Sequence, residues 1–211
     1  MTSKEAGLEI SRALAIASVT ALLKDLLENG LVHHGVMEHI GSDVPISALP
    51  PDHISMGADE RPHLNLFLYQ VTMKTGLRTL SHSATAHPDR PPTLPLSFDL
   101  YYLITAYGAQ DYQIEMLLGY TMELLYKTPV LDRETIQSRL RALSSPENRH
   151  GSSPTLKALM TSNLAELVSQ ITLSPQSPTS EEMSRLWSAL QVRYRLSIVY
   201  KVSMVLAAEA P

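Results

Sequence analysis

Three closely spaced histidines, His33, His34 and His39, come nearest in type and spacing to chemistry. Imidazole is a common metal ligand. A helical zinc protease site, however, sets two histidines at i and i+4 with a glutamate between them as base, and His34 and His39 are five apart. Surface or core histidines are the better reading. Carboxylates stand at Asp89 and at Glu181 and Glu182, but the last two fall in the first turn of an expected helix, where negative charge complements the macrodipole. No G-x-S-x-G elbow, P-loop or G-x-G-x-x-G run occurs, and the nine glycines are scattered singly, so neither a serine nucleophile nor a phosphate cradle is supported. Trp187 with Tyr101, Tyr102, Tyr107, Tyr112, Tyr120, Tyr126, Tyr194 and Tyr200 raises a carbohydrate platform, yet their spacing follows the core pattern. No catalytic, cofactor or metal residue is expected.

Composition narrows the classes further. Seventeen Lys and Arg against 21 Asp and Glu give a net charge of −4 without a block of like charges, which removes the basic footprint of a nucleic-acid binder. The absence of cysteine excludes disulfides, thiol redox chemistry and Cys-ligated metal. The apolar run near the N-terminus is broken by Glu5, Glu9 and Arg12 and reads as a mature helix rather than a leader. Nothing approaches the ~20 apolar residues a bilayer span requires. A soluble chain without direct membrane binding is expected. At 44% hydrophobic content, 211 residues can bury one sizeable core, and a single domain is favoured.

The elements that would organise such a core are clearest at 96–127. Phe98, Leu100, Tyr102, Ile104 and Ala106 alternate as one strand face. After Gly108 the period changes to that of a helix, with Ile114, Leu117, Leu118, Leu124 and Leu125 on one stripe and Asp111 near its start. Before this unit, 8–28 reads as a helix apolar around most of its circumference, which calls for several neighbours, another subunit being a candidate. Asn29 and Gly30 form its expected stop. Residues 31–40 read as a short strand and 41–62 as a Pro-rich connection. His63–Met73 is apolar on both faces, as a central strand covered on two sides would be, with Pro62 at its start.

Long loops are expected at 74–95 and 144–154. The first exceeds ~12–15 residues, a length that is usually functional or disordered, and it is a contact candidate. Pro129 ends the helix of 113–127, and Asp132 caps a short helix with Ile136 and Leu140 inward. Residues 164–173 fit a helix or a strand, and a strand ending where SPQSP follows is the favoured reading. Thr179 and Glu182 form a capping box for a helix with Met183, Leu186, Trp187 and Leu190 inward. At the end, Leu196, Ile198, Tyr200, Val202, Met204 and Leu206 alternate with Arg195, Ser197, Lys201 and Ser203, the pattern of a half-exposed strand such as an antiparallel or an edge strand shows, either inside the sheet with two neighbours or at its edge. Strands and helices mix without strict βαβ alternation. The fold class is α+β, a single domain with a mixed, mostly antiparallel sheet flanked by helices.

Laid in order, NLFLYQVT at 65–72, LYYLITAYG at 100–108, LLGYTMELLYKTPVL at 117–131 and EEMSRLWSALQVRYRLSIVYKVSMVL at 181–206 resemble the cap, or tail-terminator, proteins of extracellular contractile injection systems, the phage-tail-like particles. The resemblance runs from about Ala15 onward. It is most specific in the TAYG turn, the LLG helix followed by PVL, and the SRLW to YRLSIVYKVS ending. It departs after NLFLYQVT, where such proteins tend to have an Asn and an aromatic residue before an Arg and this chain has Lys74, Leu77 and Arg78.

The resemblance implies a structural protein rather than an enzyme, without cofactors. It implies a homo-hexameric ring on the inner tube protein, stopping tube growth and fixing the end of the sheath protein. Assembly would be cytoplasmic, into a particle that is released or membrane-attached. The partner-contact candidates are Arg78, His87, Asp89 and Arg90 in the long loop, and Lys201 and Ser203 on the last strand, whose free edge would accept a strand from the sheath. The alternatives are a tube or baseplate adaptor subunit of the same particle and, from another class, a small hydrolase or sugar-binding domain.

Overall fold

A computed structural model of the chain describes residues 3–33, 35–54, 60–74, 95–143, 155, 158–159 and 164–207. Its centre is one six-stranded sheet in the order β1-β2-β3-β6-β5-β4. The strands are β1 (Ile46–Ser47), β2 (His63–Lys74), β3 (Leu96–Tyr107), β4 (Val130–Asp132), β5 (Val168–Gln176) and β6 (Ser197–Leu206). Only β1 and β2 run parallel; every other pairing is antiparallel. The α+β class, with a mixed and mostly antiparallel sheet, is the observed one.

The strand and helix patterns of 96–127 organise the sheet as expected. Phe98, Leu100, Tyr102, Ile104 and Ala106 of β3 line one face and meet Met204, Val202, Tyr200 and Ile198 across the β3–β6 ladder. Helix α3 (Gln113–Lys127) buries Leu117, Leu118, Thr121, Leu124 and Leu125 on that face. It is entered through Tyr112 at φ 69 with no side-chain cap; Asp111 lies exposed just before it and caps nothing. Helices α4 (Arg133–Leu143) and α5 (Leu164–Leu167) share this layer. Asp132 Oδ1 accepts the Thr135 N–H at 2.8 Å, and Ile136 and Leu140 are buried as the spacing required.

Helix α1 spans Ser3–His33, well past the expected stop at Gly30. Its second half is covered within the chain: it packs against α2 (Val36–Ile40), α3, α4, α5, β1 and β2, and Val19, Leu22, Leu23, Leu26, Leu27 and Leu31 are buried, whereas Ile10 is exposed and Leu14 and Ile16 are half-buried. No second subunit is needed to hide those residues. The strand expected over 31–40 is instead the end of α1 and the short α2, separated by Gly35 at φ 63. The connection at 41–62 holds β1 and a 3-10 turn, Pro51–His53.

Two further expectations change in the second half. Residues 164–167 form α5 before β5 begins, and β5 runs through Pro175 to Gln176. Proline is tolerated there because β4, a three-residue strand not foreseen from sequence, pairs with β5 only as far as Thr172, with one further bond from the Leu173 N–H to the Pro129 carbonyl; beyond that point no described strand flanks β5 on this side, and a missing N–H costs no ladder bond. The last strand is not an edge. β6 is paired along its length with β3 and from Val199 to Leu206 with β5. Its alternation reflects two differently covered faces.

Among the described residues the opposite face of the sheet carries one helix, α6 (Ser180–Ala189). The capping box is present, with Glu182 N–H bonded to Thr179 Oγ1 at 3.2 Å and Thr179 N–H to Glu182 Oε2 at 2.7 Å. Trp187 is buried against Leu103 and Val199, with Phe67, Tyr69, Met183, Leu186 and Leu190 around them.

Candidate assembly interface

Of the residues singled out as contact candidates, Arg78, His87, Asp89 and Arg90 lie outside the described residues. Lys201 and Ser203 are half-buried on the face of β6 that alternates with its core residues. Ser203 sits opposite Asp99 and Lys201 opposite Tyr101. Ser203 Oγ donates to Asp99 Oδ1 at 2.6 Å, and Lys74 Nζ reaches Asp99 Oδ2 at 2.9 Å. Burial alone would push the Asp99 carboxyl up. The hydrogen bonds from Ser203 and Lys74, with the charges of Lys74 and Lys201, outweigh burial and hold it below the usual carboxylate range. This cluster ties the last residue of β2 to β3 and β6. Asp99 was not singled out from sequence, although an acidic residue between Phe98 and Leu100 was the available signal.

The true flanks of the sheet lie elsewhere. β1 covers β2 only at Leu64 and Asn65, so among the described residues no strand flanks β2 from Leu66 onward. The expected central strand is therefore central only at its start, at Leu64 and Asn65. Val71 is 46% exposed and Met73 59% exposed. A register shift between Leu68 and Gln70 bulges this strand, and Lys74 ends it. On the other flank stands Pro175. Bulges, lysine and proline are the devices that discourage edge pairing, so both flanks are poor templates for an added strand.

The TAYG turn closes a polar network at the opposite end of β3. Glu60 Oε1 accepts the Gly108 N–H at 3.1 Å, and the same carboxylate holds Arg195 through two bonds of 3.1 and 2.8 Å. The guanidinium lies 5.5 Å from the Tyr107 ring centroid, and His63 stacks on that ring at 5.5 Å. His63 Nε2 is 2.7 Å from Ser47 Oγ, which donates to Asn65 Oδ1 at 2.6 Å. Burial, with the charge of Lys24, lowers the His63 pKa. Gly108 is required here because a Cβ would come within 2.9 Å of Gln113. The network joins the segments before β2, after β3 and before β6 into one rigid end.

The tyrosines divide. Tyr102, Tyr107 and Tyr200 are buried, whereas Tyr112, Tyr126 and Tyr194 are exposed, Tyr126 at 83%. Tyr126 and Met122 lie on the outward side of α3, beside Gly119, where a side chain would meet open space. His33 ends α1, and His39 is bonded to the Gly35 carbonyl at 3.1 Å; His34 lies outside the described residues. Among the described residues no group of three or more His, Cys, Asp or Glu is placed to hold a metal ion, and no helix is long and apolar enough to cross a membrane.

The model of the Pvc16 N-terminal domain matches residues 18–211. Among solved structures, the sheath/tube terminator of the PVC extracellular contractile injection system in its extended state aligns with a TM-score of 0.53 at 16% identity, covering 92% of this chain and 57% of that one. The tube-terminating cap of the anti-feeding prophage aligns at 0.49 and 17% identity, covering 86% and 54%. The chain thus spans little more than half the length of either. Comparison with curated proteins gives no significant match. The family match covers every strand and helix described above except the first half of α1, and on that ground the chain belongs to the Pvc16 N-terminal domain family.

Proposed function

We propose that the protein is a structural terminator: it seats on the end of the inner tube of a contractile injection particle, stops the tube from growing, and anchors the end of the sheath. The observation that carries this reading is the alignment of 92% of the chain with a sheath/tube terminator. The blunted flanks of the sheet support it. A terminator must satisfy one ring of tube subunits without templating another, and edges carrying a bulge and a proline do not invite continuation. The protein acts as a ring of six copies, since a heterologous contact matched to a cyclic tube end must close by rotation. It contributes contacts rather than a catalytic step. Assembly takes place in the cytoplasm, before the particle is released or attached to a membrane.

Electron microscopy of particles made without this protein tests the reading. Loss of a terminator gives tubes of uncontrolled length or unstable, unsheathed tubes. Failure to assemble any tube points to the second reading, a tube or baseplate adaptor subunit.

A further inference from the structure

Helix α6 meets the sheet through apolar side chains alone. Among the described residues, every hydrogen bond and ion pair of the segment 177–194 closes within that segment. These are the Thr179–Glu182 capping box, the Arg185 Nη2 bond to Glu181 Oε1 at 2.6 Å, and the turn bonds that the Leu190 and Gln191 N–H groups donate to the Leu186 and Ser188 carbonyls. Helices α1 and α4 are joined differently, by the bond from Arg139 to buried Asp25 at 3.0 Å. What holds α6 down is its one buried side chain, Trp187, packed with the row that Phe67, Leu103 and Val199 form across β2, β3 and β6. This cluster is separate from the main core, and Leu103 and Val199 belong to strands that their ladders hold in place without α6.

The docked state also carries costs that release removes. The Trp187 indole N–H is buried without a hydrogen-bond partner, and so is the hydroxyl of Thr105, two residues from Leu103 on the same face of β3. Keeping such groups from water unpaired disfavours the state that buries them. Just past the helix, Gln191 holds φ 56, a left-handed conformation that residues other than glycine rarely adopt. Undocking, by contrast, sacrifices little inside the segment, because the capping box and the Glu181–Arg185 pair are local. We propose that residues 177–194 form a strap that lifts from the sheet as a unit while the six strands and the helices of the opposite layer stay folded. Release uncovers Phe67, Leu103 and Val199. The inference rests on the packing of this chain and is independent of the terminator reading.

Trp187 is the only tryptophan of the chain, so its emission reports the docking of α6. Far-UV circular dichroism is dominated instead by α1, α3 and α4 of the opposite layer. In a urea titration of the full chain, Trp187 emission should move to the red about 1 M or more below the loss of circular dichroism, and with a shallower slope, because the slope scales with the surface exposed. Met183→Ala, at the rim of the Trp187 cluster, should lower the emission midpoint and leave the dichroism midpoint in place. Ile136→Val, in the main core, should do the reverse. Coincident midpoints and slopes in the wild type, or equal shifts of both probes in either variant, overturn the proposal. Emission already that of a hydrated indole without urea overturns it too, since nothing would then hold the strap down.

Discussion

Gly30 of α1 packs directly against Leu124 of α3: a Cβ on the glycine would overlap the leucine Cδ2. A glycine that the sequence pattern marks as a helix stop instead sits inside the helix and allows two helices to approach. Gly inside a helix costs about 1 kcal/mol relative to Ala, and here that cost is offset by close packing. Gly30→Val should therefore destabilise the fold by about 1–3 kcal/mol through overpacking. Urea denaturation followed by circular dichroism checks this; a midpoint equal to the wild type would contradict the close packing.

Charge in the two cores should act unequally. Leu118 is buried against the main core, whereas Leu186 is half-buried at the margin of the smaller cluster around Trp187. An unpaired buried charge costs several kcal/mol, comparable to the ~5–15 kcal/mol stability of a domain. Leu118→Asp should abolish cooperative folding, and Leu186→Asp should leave a folded protein with a lowered melting temperature. Equal melting of the two variants would contradict the assigned depths.

The cluster at Asp99 makes a pH prediction. Its folded pKa lies below the ordinary carboxylate value, so its contribution to stability is full above the unfolded pKa, near 4, and is lost as pH falls through the folded value. Asp99→Asn should be less stable than wild type at pH 7. The gap should narrow steadily below about pH 4, as the wild-type carboxyl takes up its proton. Melting curves at matched ionic strength decide this. A gap independent of pH would remove the ionised carboxylate from the account.

Because β6 is paired on both sides, Lys201→Pro and Ser203→Pro should unfold the protein rather than impair assembly alone. Proline removes a donor from an interior strand. Native-like melting of either variant would contradict the strand order.

These same elements divide what was legible in the sequence from what was not. Alternation in β3 and the stripe of α3 were readable because each shows a single clean period, and the Thr179 and Asp132 caps because they are local chemistry. Three features depended on tertiary context. Gly30 has the composition of a stop, and only Leu124 explains its place. Pro175 has the composition of a break, and only the shortness of β4 admits it to a strand. The polar residues of β6 suggested a free edge, whereas Ser203 is polar because it faces Asp99 across a ladder. The interface was the least legible part, since a surface that binds another protein leaves no spacing rule comparable to a metal site. Ordered matches to family segments, rather than any residue pattern, pointed to the terminator fold.

Cryo-electron microscopy of intact particles carrying an epitope label on this protein tests the central claim most directly. The account predicts one ring of six labelled copies at the tube end distal to the baseplate, in contact with the last tube ring and the end of the sheath. Label along the tube, at the baseplate, or in one or two copies at the distal end would contradict it.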